Sequence, residues 1–332
     1  MFVPSHQSRR PVVAAVVLIP LVIGLALAAF AWPSARLGPR DLPVGVAGPA
    51  PAADAIAQRF EAEQGAFDLH RYDDEAAARS AIEDREVYGA VVAGPGGATV
   101  LTASAASPLV AQLLAQAGSA DAGGAPARVV DVVPADPDDP RGAAFGASVL
   151  PLVLAGLLIG IVLSLISRPG WERASALVAG SGLTGLVAVG VVQGWLGILG
   201  GNWLLNAGVL SLMVLAISAG VAGLYALLGR AGLALGAVLM MFVGNPFSGV
   251  ATAPELLPQG AAVIGQLLPP GAGGNLLRSV AFFDGARAAG PLTVLLVWSV
   301  LGLTAVLIDG LRARRRAPQL AAVQPNTAVA AS

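Results

Sequence analysis

Few side chains in this sequence could do chemistry. Among its 332 residues there is no Cys and no Lys, and the only His are His6 and His70. Without Cys there is no thiolate nucleophile, disulfide, iron–sulfur cluster or covalent haem. Without Lys there is no Schiff base and no phosphate-loop lysine, so the chain is not itself a P-loop ATPase. Two His far apart in sequence cannot build a multi-His metal site, and His70, near Asp68 and Asp73, reads as a surface residue. Ser181 within Gly-Ser-Gly and Ser248 before Gly249 have the setting of an intramembrane serine nucleophile, but no His falls in an apolar stretch to activate either. An intramembrane aspartyl enzyme needs two Asp, and Asp309 is the only one in such a stretch. No catalytic residue, cofactor site or metal site is therefore expected, and the chain reads as a non-enzyme.

Two segments carry the remaining candidates. Arg168, Trp171, Glu172 and Arg173 lie on a short turn rich in rigid residues. They either anchor helix ends at a membrane interface or dock a soluble partner. The second segment, 245–290, is apolar but repeatedly broken. Asn245, Pro246, Ser248 and Gly249 lie at its start, and within 251–290 Pro254, Pro258, Pro269 and Pro270 prevent one continuous helix, since an interior Pro removes a backbone hydrogen bond. Two short helices near 255–268 and 274–283, dipping in and returning, fit 251–290 best; a stretch lying flat on the membrane is the other reading. Arg278 is expected at the outer interface, paired with Asp284 or Glu255, as part of an outer gate.

The elements around these candidates follow from composition. Hydrophobic residues make up 56%, mean hydropathy is +0.75, and charged residues reach only 12%, about half the share in soluble domains. A soluble globule so composed would expose large apolar patches, so the lipid bilayer is the expected surrounding. A net charge of −1 with scattered Arg lacks the basic stripe of a nucleic-acid binder.

Six stretches are long and apolar enough to span: 12–31, 145–166, 174–199, 203–228, 231–250 and 291–311. Arg9 and Arg10, Arg168 and Arg173, Arg230, and Arg312 with Arg314–316 then fall on one side. By the positive-inside rule that side is cytoplasmic, with both termini there and the protein multi-pass in the plasma membrane. The first stretch is too long for a signal-peptide core and reads as an uncleaved anchor. Between the first two stretches, 34–144 holds 16 of the 20 acids and eight of the 19 Arg, a net −8. Alternating apolar patterns, Gly turns and a capping Asp73 or Asp74 predict β-α-β-α-β-β-α-β, a small α/β domain outside the membrane. The expected division is 1–33 tail and first helix, 34–144 α/β domain, 145–311 five-helix membrane domain, and 312–332 an Arg-rich disordered tail. No Asp, Glu, Arg or His falls in the middle of a span, and neutral polar residues such as Ser164, Thr184, Gln193, Ser211 and Ser218 suit helix–helix hydrogen bonds rather than ion coupling. The pairs Gly156/Gly160, Gly190/Gly194 and Gly232/Gly236 suit close packing within the bundle, with a dimer seam as the other reading.

This layout resembles the ABC type-2 exporter permeases: one span, a large outer domain, then five spans. Gly244-Asn245-Pro246-Phe247-Ser248-Gly249 looks like that family's Pro-x-Ser/Gly-Gly turn. Leu257-Pro258, Leu268-Pro269-Pro270 and Asn275-Leu276-Leu277-Arg278 before Phe282-Phe283 follow, where the family places a re-entrant helix pair. The polar block is similar to the outer domain of phage-infection-protein-like membrane proteins. The resemblance implies a permease paired with itself or a similar subunit, a separate nucleotide-binding ATPase subunit on its cytoplasmic loops, and outward movement of an amphiphilic or lipid-like substrate. The chain departs from the family in its short stretch before the first span and its short loops at Glu172 and Arg230. The competing reading is a non-transporting scaffold or receptor whose outer domain binds an envelope component or a protein.

Overall fold

The computed structural model describes residues 10–94, 97–121 and 128–322. Between the first two long helices the chain builds β1 (Leu42–Ala47), α2 (Ala50–Ala62), β2 (Phe67–Tyr72), α3 (Glu75–Glu83), β3 (Gly89–Gly94), β4 (Gly97–Thr102), α4 (Pro108–Asp121) and β5 (Arg128–Asp131). The order of elements is the one the pattern predicts. The sheet runs β2-β1-β3-β4-β5, parallel except for the β3–β4 hairpin. Crossover helices cover both of its faces, which is why β1 is almost wholly apolar and buried. Asp74 caps α3 by accepting from the Ala77 N–H at 2.8 Å, satisfying a donor that a helix start leaves free.

The rest is helical: α1 (Arg10–Ser34), α5 (Ala143–Ile166), α6 (Trp171–Val189), α7 (Trp203–Leu228), α8 (Arg230–Ala237), α9 (Ala261–Gln266), α10 (Pro269–Phe282) and α11 (Ala289–Ala322). A π-turn, Gly190–Trp195, extends α6, and another, Val238–Gly244, extends α8. Among the described residues, five helices are long and apolar enough to cross a membrane: α1, α5, α6 with its π-turn, α7 and α11. By length and composition this is a helical membrane protein carrying one small sheet.

The sixth expected span is present only in part. Arg230–Gly244 is apolar and folds back on α7, but its 15 residues (eight of α8 and seven of the π-turn) cover about 22 Å, short of a hydrocarbon core of about 30 Å. It stops where Gly244, Asn245 and Pro246 end the regular pattern, and turns at 245–253 carry the chain on to the α/β domain. At the other terminus α11 runs past 311 to Ala322, so the first part of the segment expected to be disordered is helical. Residues 323–332, and 1–9 with His6 and Arg9, lie outside the described residues.

α7 is the hub. It is 72% buried over its apolar window, whereas α1 is 6% buried. Close approach explains the hub's contacts. A Cβ on Gly160 would sit 2.8 Å from the Ser218 carbonyl oxygen, and one on Gly302 2.2 Å from that of Ala219. Gly156 and Gly160 thus pack α5 on α7 within the chain, and Gly232 and Gly236 pack α8 on α7, while Gly190 and Gly194 have nothing within 4 Å. Ser181 and Ser218 share a buried hydrogen bond at 3.1 Å across the α6–α7 contact.

The α/β domain does not own all of its core. One layer beside the sheet, around Leu42, Val44 and Val100, includes Ala253 and Leu256. The other, around Ile82, Ala90 and Leu101, includes Phe283. Backbone bonds reinforce the joint: the Gly38 N–H donates to the Leu256 carbonyl and the Arg40 N–H to that of Glu255.

Candidate functional site at the domain junction

Where the α/β domain meets 245–287, polar side chains gather in an otherwise apolar region. Arg85 sits just after α3 with a positive φ of 57°. That conformation turns the chain back toward β3 and carries the guanidinium onto α10. It donates to the Asn275 side-chain oxygen at 2.8 Å and to the Ser279 hydroxyl, and lies over the Phe283 ring at 5.2 Å. From Asn275 a relay continues. Its amide donates to Gln266 at 3.0 Å, Gln266 donates to the Ser248 carbonyl at 2.7 Å, and the Ser248 hydroxyl donates to the Asn245 carbonyl at 2.7 Å. The α/β domain is thereby bonded, side chain by side chain, to the break after α8.

On the neighbouring wall the Tyr88 hydroxyl donates to Glu255 at 2.7 Å. Burial, reinforced by the Glu255 charge, raises the Tyr88 phenol well above its ordinary value, while burial lowers the Arg85 guanidinium. Arg85, Tyr88, Glu255 and Asn275, with Glu86 and Arg287, line a cavity of about 190 Å³.

Arg278 takes a different position from the one expected. It is buried, donates to the Val250 carbonyl at 2.8 Å and lies over the Phe145 ring at 4.8 Å. It pairs with neither Asp284, which is exposed, nor Glu255. Burial, then the nearby Arg85, lowers its guanidinium to about 10, so it remains a cation at neutral pH. The helices beside it also begin elsewhere than expected. α9 has only six residues, and α10 starts at Pro269 because Pro269 and Pro270 occupy its first turn, where a missing N–H costs nothing. Gly249 turns with φ +65°, its missing Cβ leaving room for Pro254. Pro254 and Glu255 form a single 3-10 turn, Pro258 is buried ahead of α9, and Pro246 lies half-buried in the turn after Gly244.

The other candidate segment, at the far end of the helices, divides. Trp171 is 72% exposed, and Arg168 and Glu172 are exposed as well. Arg173 faces inward: it donates to the Ser167 carbonyl at 3.0 Å, approaches Asp309 at 3.6 Å and lies over Tyr225 at 5.4 Å. Asp309 therefore answers Arg173 across the bundle rather than Arg312 beside it. Gly170 and Gly310 touch backbone to backbone and hold the turn against α11. The His70 side chain bonds Asp68 at 3.2 Å on the surface, and no cluster of potential metal ligands occurs among the described residues.

Sequence reasoning missed Arg85, Tyr88, Gln266, Ser279 and Arg287. One signal was available: Asn275, Arg278 and Ser279 stand three and four residues apart, a polar stripe on one face of a helix otherwise apolar. Comparison with known protein families, with curated proteins and with solved structures finds no match to this chain.

Proposed function

We propose that the protein is the membrane-embedded permease subunit of an ABC-type exporter, moving an amphiphilic or lipid-like molecule outward with the help of a separate ATPase subunit. The observation that carries this reading is the broken pair α9–α10. α10 packs against α7 and α11, α9 packs against α10 and the π-turn after α8, and the pair is tied by Arg85 and the Asn275 relay to a folded domain outside the bundle. Such an element moves with the domain, as an outer gate must. In this reading the α/β domain is extracytoplasmic, 231–250 completes a sixth crossing with help from its irregular end, and both termini are cytoplasmic. Exposed Trp171, Arg168 and Glu172, with Arg230, then form the ATPase-facing surface, and two copies of this chain or two similar permeases pair.

The scaffold or receptor reading draws on one observation: burial of Arg173 and the tight Gly170–Gly310 contact leave little at that end for a motor subunit to grip. Affinity purification of the full chain in mild detergent separates the two. Co-purification of a nucleotide-binding subunit, lost in Trp171→Ala, supports the permease. Its absence, with the chain intact and folded, supports the receptor.

A further inference from the structure

The junction cavity is lined by two cations and two carboxylates, and none of the four is paired with another. Arg85, Arg287 and the adjoining Arg278 have no carboxylate within 4.0 Å among the described residues. Arg85 is held by neutral acceptors, with its Nε–H donating to nothing among the described residues. Glu255 is held by Tyr88 through one oxygen, and the other has no hydrogen-bond partner among the described residues. Arg287 and Glu86 are exposed members of the lining. Arg85 and Glu255 are the two partly withdrawn from water, and charges so placed need opposite charges beside them. Here Arg85 and Glu255 line one cavity, yet each is fastened to a different neutral group that holds it off the other. The cavity, at about 190 Å³, is many times the roughly 10–15 Å³ of such space that a single water needs.

We propose that this cavity binds a zwitterion bearing a phosphate group and an ammonium, the headgroup chemistry of an amine-carrying phospholipid. The phosphate meets Arg85 and Arg287, whose planar guanidinium groups suit its oxygens. The ammonium meets Glu255, with Glu86 completing the acidic side. Such a ligand gives each of the four lining charges a partner at once, which a bare anion does not. The location fits the same chemistry. α1 ends and α11 begins at this end of the helices, and Trp32, Trp195 and Trp203 lie there too, the residue type that marks the headgroup level. The inference stands apart from export, since a receptor would use the same site.

The test is titration calorimetry on the full chain, stripped of lipid in a neutral detergent. Four probes serve: dihexanoyl phosphatidylethanolamine, dihexanoyl phosphatidylglycerol, the soluble headgroup compound glycerophosphoethanolamine, and inorganic phosphate. The ethanolamine lipid should bind saturably and about tenfold or more tighter than the glycerol lipid, as expected for one charge-assisted contact. Glu255→Gln, which keeps an acceptor for Tyr88, should abolish that preference. Arg287→Gln, which breaks no side-chain hydrogen bond or ion pair among the described residues, should weaken both lipids about tenfold. Soluble headgroup binding as tight as the lipid assigns the site to a free zwitterion, and a requirement for acyl chains assigns it to membrane lipid; either supports the proposal. Phosphate binding as well as the ethanolamine lipid, or lipid binding unaltered by both substitutions, overturns it, as does the absence of saturable binding.

Discussion

Arg173 and Arg278 are buried cations at opposite ends of the helices, each lying over an aromatic ring, and they differ in what their loss would expose. Arg173 faces Asp309, which stays 31% accessible, so Arg173→Ala leaves a carboxylate that water can reach. The expected cost is about 1–3 kcal/mol, below that of a fully buried broken pair, read as a lower melting temperature in detergent. Trp171→Ala, on the exposed side of the same turn, should change melting by no more than about 0.5 kcal/mol. Tyr88 carries a pH dependence. Because burial and Glu255 raise its phenol in the fold, the stability it contributes is complete below the ordinary phenol value and is lost as pH rises above about 10. The stability gap between the native protein and Tyr88→Phe should stay constant from about pH 6 to pH 9 and shrink above about pH 10. A gap that persists to pH 11 would show that the phenol is not buried against Glu255.

Among the elements, the α/β domain was legible because its residues carry phase. Alternation at Phe67–Tyr72, the Asp74 cap and the glycine turn after β3 each have a local cause visible in the sequence. The helices were legible as apolar length but less so in their breaks. A stretch hydrophobic on all sides has no face to read, and the one local sign that α8 and its π-turn stop short of a full crossing was Gly244-Asn245-Pro246. The contacts of Arg85 with α10 were out of reach for another reason: they join residues distant in the chain, and the positive φ that aims Arg85 leaves no mark in composition. Glycine spacing was more informative, since Gly156 and Gly160 do pack on α7. Packing at the hub gives a direct prediction. Gly302→Ala places a methyl against backbone and should cost about 1–3 kcal/mol. Gly208→Ala, where nothing lies within 4 Å, should be neutral or stabilising by up to about 1 kcal/mol. Equal melting of the two variants would contradict the α7–α11 contact.

For the whole molecule, the two halves share cores. Block 34–144 looks self-contained in sequence, but its sheet layers are completed by Leu256 and Phe283. Each such side chain contributes about 1.5–3 kcal/mol on burial, a large part of the 5–15 kcal/mol typical of a domain. The excised block should therefore keep an α/β circular dichroism spectrum but melt well below the same domain in the full chain. Leu256→Ala and Phe283→Ala in the full chain should lower that domain's melting in the same direction. An excised block as stable as the intact domain would rule out the shared core. Sidedness is equally testable, because the native chain has no Cys. Ser175→Cys should label only from inside and Ser80→Cys only from outside; labelling from one side at both positions would overturn the proposed topology.

The shared core also sets an order of events during synthesis. The strands at 42–131 leave the ribosome long before Ala253, Leu256 and Phe283 exist, so the sheet must wait, with slots open on both faces, while α5 to α8 are made and inserted. Completion of the domain then reports that the bundle up to α10 is in place. Nascent chains arrested after 250 should be cut by protease within the α/β block, and chains arrested after α11 should resist.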